Sequence, residues 1–250
     1  MRSISIIQPV YLPWLGYFEQ IARTDLFVLY DEVQYTKQDW RNRNRIPGAN
    51  GPVWLTVPVE RAPFGTPISA IRIDNRHRWV AKHLKSIAQT YAKAPHFQPW
   101  YDRLSAELER GWDRLGDLDA ALIRLICEGF GISTPMLRSS EEPGDPDFVA
   151  QFDDVADDPA VTRRNTRLVE LCRRHEADLF YVGARAADYI DRDLFARFGI
   201  AVAFQDYAHP VYRQAGKGWQ SHMAVIDLLM MAGPGAREIL LSPPAPDFAP

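Results

Sequence analysis

Three stretches of the chain concentrate residues able to hold anions or move protons. The first is Gln8-Pro9-Val10-Tyr11-Leu12-Pro13-Trp14-Leu15-Gly16-Tyr17-Phe18. A short apolar run stops at Pro9, turns through a second proline and opens a helical pattern. A helix start leaves backbone amides free, and free amides favour anions. Gly16 would let a phosphate come close to the backbone. The second stretch begins at Asp31 and carries Gln34, Lys37, Arg41, Arg43 and Arg45, interleaved with Trp40, Asn42 and Asn44. Guanidinium forks suit bidentate binding of phosphate or carboxylate. Asn amides offer both a donor and an acceptor to sugar hydroxyls. The third stretch runs from Asp206 to His222. His209 follows an apolar run and precedes Pro210, and imidazole is the natural general base near neutral pH. Asp206 can orient it, and Tyr212 and Gln214 can share its wall. Two glycines around Lys217 make a stretch able to close on a ligand. Asp206, His209 and His222 show no recognised metal-ligand spacing, so no metal is expected. His222 reads as a core histidine on an apolar stripe with Val225, Ile226 and Leu229.

The elements that must position these residues alternate. Residues 3–8 read as a buried strand, the segment from Leu15 as an amphipathic helix, and residues 26–31 as a second buried strand ending on Asp31. Strand, helix and strand in such close order predict a parallel pair. Residues 32–51 read as a long polar connection, and loops of that length are usually functional or disordered. Residues 52–59 and 68–74 read as two strands around a turn. Helical patterns fill about 78–131, with Lys82 and His83 on a solvated face. A short strand in 133–142 leads into an acidic, proline-rich surface loop. Helix, strand, helix and strand then follow to residue 207, and a helix over 221–233 closes the pattern. The reading is one α/β domain over 1–241, a doubly wound, mostly parallel sheet with an inserted helical section. The proline-rich stretch 242–250 reads as a frayed tail. Ligands of such sheets bind beyond the carboxyl ends of the strands, and each of the three stretches follows a strand.

Composition narrows the classes. With 46% hydrophobic and 24% charged residues the chain is ordinary for a globular protein. A net charge of −3 gives no overall pull toward nucleic acid or anionic lipid. The N-terminal sequence has neither a signal-peptide pattern nor a membrane-spanning run, so a cytoplasmic protein without membrane insertion is expected. Cys127 and Cys172 lie in apolar helical patterns and read as reduced core thiols. Nucleotide-loop, dinucleotide and nucleophile-elbow motifs are missing, and no cofactor is expected. Seven Trp and ten Tyr are many for this length. Trp14, Trp40 and Trp219 stand beside turn residues, where aromatics line pockets as readily as cores.

The three stretches taken together resemble the WbqC-like protein family. The resemblance rests on Gln8-Pro9-x-Tyr11-x-Pro13-Trp14-x-Gly16-Tyr17-Phe18, Asp31-x-Val33-Gln34-Tyr35, Trp40-x-Asn42-Arg43-Asn44 and His209-Pro210-x-Tyr212-x-Gln214 ahead of Asp227. Tyr91-Ala92-Lys93-Ala94-Pro95 fits the same pattern. The first strand, turn and helix also resemble the start of HUP-type nucleotidyltransferases. Here Trp14-Leu15-Gly16-Tyr17 stands where that superfamily has His-x-Gly-His, so its phosphate-stabilising histidines are missing. The family resemblance implies a transferase-like step in surface-polysaccharide or specialised-metabolite assembly. An acyl or aminoacyl group would pass from a phosphate-bearing or carrier-linked donor to an amine or hydroxyl. The partners implied are small molecules, such as a nucleotide sugar or a carrier-protein-linked acyl group. Placement at strand ends makes His209, Asp31 and Lys37 the catalytic candidates. It makes Gln8, Tyr11, Trp14, Gly16, Tyr17, Gln34, Trp40, Asn42, Arg43, Asn44, Tyr212 and Gln214 the ligand-binding ones. A degenerate nucleotidyltransferase acting on a sugar phosphate and a non-catalytic binding protein of a glycan-assembly complex stay open as alternatives.

Overall fold

Short, largely apolar runs dictate the centre of the sheet, with Ser3 and Ser5 the buried polar members of its central strand. The structure, a computed structural model, describes residues 1–152 and 159–243. In it β1 (Ser3–Ile7) lies parallel to β2 (Leu26–Leu29), with Ile4 opposite Leu26 and Ile7 opposite Leu29. Between them α1 (Leu15–Arg23) buries Leu15, Phe18 and Ile21. After β2 the chain leaves the sheet. It makes a hairpin of β3 (Arg43–Ile46) and β4 (Val53–Thr56), then α2 (Trp79–Tyr91), α3 (Phe97–Leu108) and α4 (Leu115–Phe130). It returns as β5 (Met136–Arg138), passes α5 (Pro146–Ala150) and α6 (Pro159–Arg174), and lays down β6 (Leu179–Val182). Then come α7 (Arg192–Arg197), β7 (Ala201–Phe204), α8 (Ile226–Ala232) and α9 (Ala236–Leu240).

The five-stranded sheet has the order β5-β2-β1-β6-β7, with every pair parallel. The chain builds outward from β1 to β5, then restarts on the other side of β1 with β6. This is a Rossmann-like arrangement, and its switch point lies between β1 and β6, where the ligand crevice of such a sheet opens. Strands covered on both faces are largely apolar, and the buried Ser5 of β1 satisfies its hydroxyl on the Tyr181 carbonyl at 2.6 Å. One apolar cluster holds Phe18, Leu122, Ile126 and Leu229, and another holds Val169, Cys172, Phe180 and Phe195. Cys127 and Cys172 are both buried as free thiols. Among the described residues no helix is long and apolar enough to cross a membrane.

Several local expectations need correcting. Residues 53–56 pair with 43–46, inside the stretch read as a connection, and not with 68–74. Residues 68–70 form a 3-10 turn, and a lone bridge joins Val59 to Ile73. β3 was hidden because one of its inward positions is polar. Asn44 is buried, and its Nδ2 donates to the Leu12 carbonyl at 2.6 Å. His83 is also buried, with its ring against Tyr11 and not on a solvated face. The helix expected from 221 starts at Ile226. Before it, Ala224 N donates to the Arg45 carbonyl and Val225 N to the Pro13 carbonyl, each at 2.9 Å. Those bonds tie the stretch before the helix to β3 and to the 8–14 loop, with His222 in a left-handed turn and Val225 already in a helical conformation. The helix expected after β6 is split into a 3-10 turn at 184–188 and α7, whose cap Asp191 accepts from Leu194 N. Residues 153–158 of the acidic loop and 244–250 of the tail lie outside the described residues.

Candidate functional site

The carboxyl end of β1 turns into α1 at Trp14, which caps the helix in an extended conformation without a side-chain cap bond. Its indole folds over Gly16: a Cβ added there would lie 2.0 Å from the ring. Gly16 is therefore the seat of Trp14, and the indole fills the space a phosphate would need. The same indole meets three side chains of the segment after β7. Ring centroids lie 4.9 Å from His209, 5.1 Å from His222 and 5.9 Å from Tyr207. The two imidazoles stand 4.2 Å apart, and Trp219 meets His209 edge-on at 6.4 Å. His222 is thus part of this cluster and not a core histidine. It is exposed and adopts a left-handed φ of 59°.

The segment that carries these rings is clasped. Gln214 donates to the Gln220 carbonyl at 2.9 Å and accepts from Gln220 N at 2.7 Å. Trp219 Nε1 donates to the Pro210 carbonyl at 3.2 Å. Gln214 is buried, so its amide closes the loop, and Tyr212 packs beside it. The tip, Ala215 to Lys217, forms one wall of a cleft of about 440 Å³, with Pro47, Gly48 and Thr90 among its other lining residues. Beneath, a buried polar network ties α1 to β6 and β7. Gln205 donates to the Gly16 carbonyl at 2.8 Å and to Glu19 at 2.6 Å. Gln20 donates to Gln205, and the Tyr181 hydroxyl donates to Glu19. Buried networks of this kind rigidify what they join; here Gln20 Oε1 alone is left without a partner, and the bonds from Gln205 to the Gly16 carbonyl and Glu19 fix Trp14 relative to the strand end that leads to His209.

Burial, with His222 alongside, pushes the His209 pKa down to about 4. His209 Nε2 is buried and has no hydrogen-bond partner. The ring is therefore neutral at pH 7, and with the proton on Nδ1 it presents an unused lone pair at Nε2. His222 is shifted down as well, by burial and then by Arg45 and Arg185. Arg185 follows β6 in the 3-10 turn, and Arg45 lies over the Trp40 ring at 5.8 Å. Two guanidinium groups thus raise the positive potential beside the imidazole pair. Among the described residues Asp206, His209 and His222 do not converge as a metal-holding group.

The second stretch behaves differently. Asp31 is 1% exposed and its carboxylate is fully engaged. It pairs with Arg138 at 2.7 Å and accepts from Ser140 N and Oγ, each at 3.0 Å, and from Ser139 Oγ at 3.4 Å. Asp31 follows β2 and His209 follows β7, so β1 and β6 separate the two strand ends. Lys37 and Gln34 are exposed on the connection. Asn42 Nδ2 donates to the Val57 carbonyl at 2.8 Å, which with Asn44 pegs the hairpin in place. Arg43 donates to the Gln38 carbonyl and lies over the exposed Trp54 at 4.7 Å, and Trp40 packs on Trp54 at 5.5 Å. The Tyr11 hydroxyl and His83 Nδ1 are 2.9 Å apart, and His83 Nε2 donates to the Thr56 carbonyl. Tyr17 donates to the Gln8 carbonyl at 3.2 Å. The structure therefore gathers Trp14 with His209, uses Gln214, with Tyr212 beside it, to close the loop that carries His209, and leaves Asp31 and Lys37 elsewhere. Trp219, read from the sequence as lining either a pocket or the core, lies at the site, and His222 and Arg185 join it without having been expected there.

A family model described as the WbqC-like protein family matches residues 8–239. The chain is 34% identical over 243 residues to uncharacterized protein Rv1507c of Mycobacterium tuberculosis (strain ATCC 25618 / H37Rv), an alignment spanning 96% of this chain and 98% of that protein. No solved structure matches it.

Proposed function

The chain belongs to the WbqC-like protein family, and on that premise we propose that it is a transferase in which His209 acts as general base. The observation that carries the reading is the neutral His209 ring, with a buried and unpartnered Nε2, packed on Trp14 beside the switch point. A hydroxyl or amine acceptor supplies the hydrogen bond that Nε2 lacks. As the acceptor attacks an activated acyl or aminoacyl group, its proton passes to Nε2 and then to the departing group. A pKa near 4 makes a weak base in the free protein. An anionic donor group held by Arg45 and Arg185 offsets the charge that lowers His222, and its own negative charge beside the imidazole pair raises His209 toward the working pH. A phosphate-bearing or carrier-linked donor in polysaccharide or specialised-metabolite assembly fits that requirement. Asp31 and Lys37 take no step in this reading.

The cage of Trp14, His209, His222 and Trp219 also suits a flat ligand held without reaction, which favours the binding-protein alternative. The nucleotidyltransferase alternative loses support because indole covers Gly16, where a phosphate would approach. His209→Gln separates the first two readings. As a base, His209 is worth roughly 10²–10⁴ in rate. The variant should keep donor binding and turn over at least about a hundredfold more slowly. Unchanged turnover in a folded variant removes His209 from the mechanism.

A further inference from the structure

Asp119 lies on α4 and is 0% exposed, yet neither carboxyl oxygen has a hydrogen-bond partner. Buried polar groups are normally paired, and an unpaired carboxyl is costly to keep. Two more orphaned atoms come from neighbouring elements. Gln8 Oε1, at the end of β1, and Arg41 Nε, on the connection before β3, are also buried without partners. Asp119 interacts electrostatically with Tyr11 from the 8–14 loop, Tyr17 from α1, and Tyr35 and Arg41 from that connection. Cys127 faces Tyr17 from farther along α4. The hydroxyls of Tyr11 and Tyr17 are already committed to His83 and to the Gln8 carbonyl. Arg41 keeps one arm on Asp39 at 3.2 Å.

We propose that Asp119, Gln8 and Arg41 form a recognition subsite for a small molecule that carries a primary ammonium near an anionic group. Asp119 and Gln8 Oε1 accept from the ammonium, and Arg41 Nε donates to the anion. Tyr17 and Tyr35 wall the ammonium, whose attraction to ring faces adds to the fit. The charge of the ligand is what selects it. Burial pushes the Asp119 carboxyl well above its usual range, which favours the neutral form in the free protein. An incoming ammonium supplies the counter-charge, the carboxyl gives its proton to solvent, and one proton is released for each molecule bound. A neutral hydroxyl would leave Asp119 protonated and release none. The inference deepens the transferase reading by naming a substrate class. The ammonium is a handle here, distinct from the group that reacts at His209.

Amino acids and amino sugar phosphates share this chemistry. The test is calorimetry of the full chain at pH 6 in two buffers of different ionisation heat. The probes are glycine and glucosamine 6-phosphate, with N-acetylglycine and N-acetylglucosamine 6-phosphate as controls. At least one amine should bind with release of about one proton, and its acetylated form at least about tenfold more weakly. The responding pair identifies the source. Asp119→Asn matches the neutral carboxyl in shape and charge, so it should keep the parent's melting temperature, lose at least about tenfold in affinity and release no proton. Asp119→Leu removes the orphaned oxygens and should melt no lower than the parent while failing to bind. The subsite is overturned if neither amine binds, if acetylation makes no difference, if Asp119→Asn binds like the parent, or if both variants melt lower. His209→Gln should bind the amine normally, so failure of the base and failure of this subsite give different results.

Discussion

The ends of β2 and β7 look alike in sequence and differ in chemistry. Each strand finishes on a polar, ionisable stretch, and placement beyond the sheet makes both candidates for catalysis. At the end of β2, Asp31 is fully occupied by Arg138, Ser139 and Ser140. At the end of β7, His209 keeps a buried ring nitrogen with nothing bonded to it. Placement selects the neighbourhood, and the state of the hydrogen bonds decides which group is free to react. A saturated buried ion pair joins elements, here β2 to the segment after β5. An unsaturated buried base costs stability and is the kind of feature a functional site retains.

The largest expected effect would break that comparison on the Asp31 side. Asp31→Ala leaves Arg138 only its second, more exposed partner Asp117 and takes the acceptor from Ser139 and Ser140, and should cost about 3 kcal/mol, read from urea unfolding. Activity per folded molecule should stay within about twofold, since removing a group outside the reacting site leaves transition-state binding intact. A stable, inactive variant would make Asp31 catalytic. Acid should sharpen the other side. His83 and His209 both sit at about 4 in the folded protein, lowered first by burial. The unfolded value is about 6.5. The folded state therefore binds fewer protons between those limits. The stability these neutral rings carry is complete above about pH 6.5 and is lost as pH falls toward 4. The nearly buried His83 should account for up to about 3 kcal/mol of that loss, and His83→Gln should flatten the stability profile across the window.

Gly16→Ala tests whether the two ends share a fixed frame. Its Cβ would collide with the Trp14 indole, so overpacking of about 1–3 kcal/mol is expected in unfolding experiments. Tryptophan emission should shift as the indole leaves His209. The smallest effect belongs to Trp219→Phe. It removes the bond to Pro210 but keeps a ring beside His209. It should cost about 0.5–1.5 kcal/mol and loosen the 209–222 loop, which amide exchange would report.

Particular residues explain how much of this was legible. The parallel sheet could be read because strands buried on both faces show continuous apolar runs, as in Leu26–Leu29 and Leu179–Val182. His209 could be read from its place between a strand and Pro210. β3 could not, because Asn44 occupies a buried position by donating to the Leu12 carbonyl and accepting from Arg45 N. His222 was misread because an apolar pattern continues through it, while the chain there turns through a left-handed residue and is tied to Arg45 and Pro13 by bonds that no local pattern encodes. Gly16 had its explanation two residues away in Trp14. Asp119 did leave a signal, a carboxyl on the apolar stripe of Leu115, Leu122 and Ile126, but only the three-dimensional fold shows that nothing pairs with it.

The central claim is that His209 is a neutral, unengaged base whose basicity is raised by an anion. Long-range proton–nitrogen NMR of the imidazoles tests it most directly, with His209→Gln to assign the signals. The ring should stay neutral from pH 8 to about 5 and take its proton near 4. Adding inorganic pyrophosphate as a donor mimic should move that titration upward. A His209 that titrates near 6.5 and ignores pyrophosphate would contradict the account.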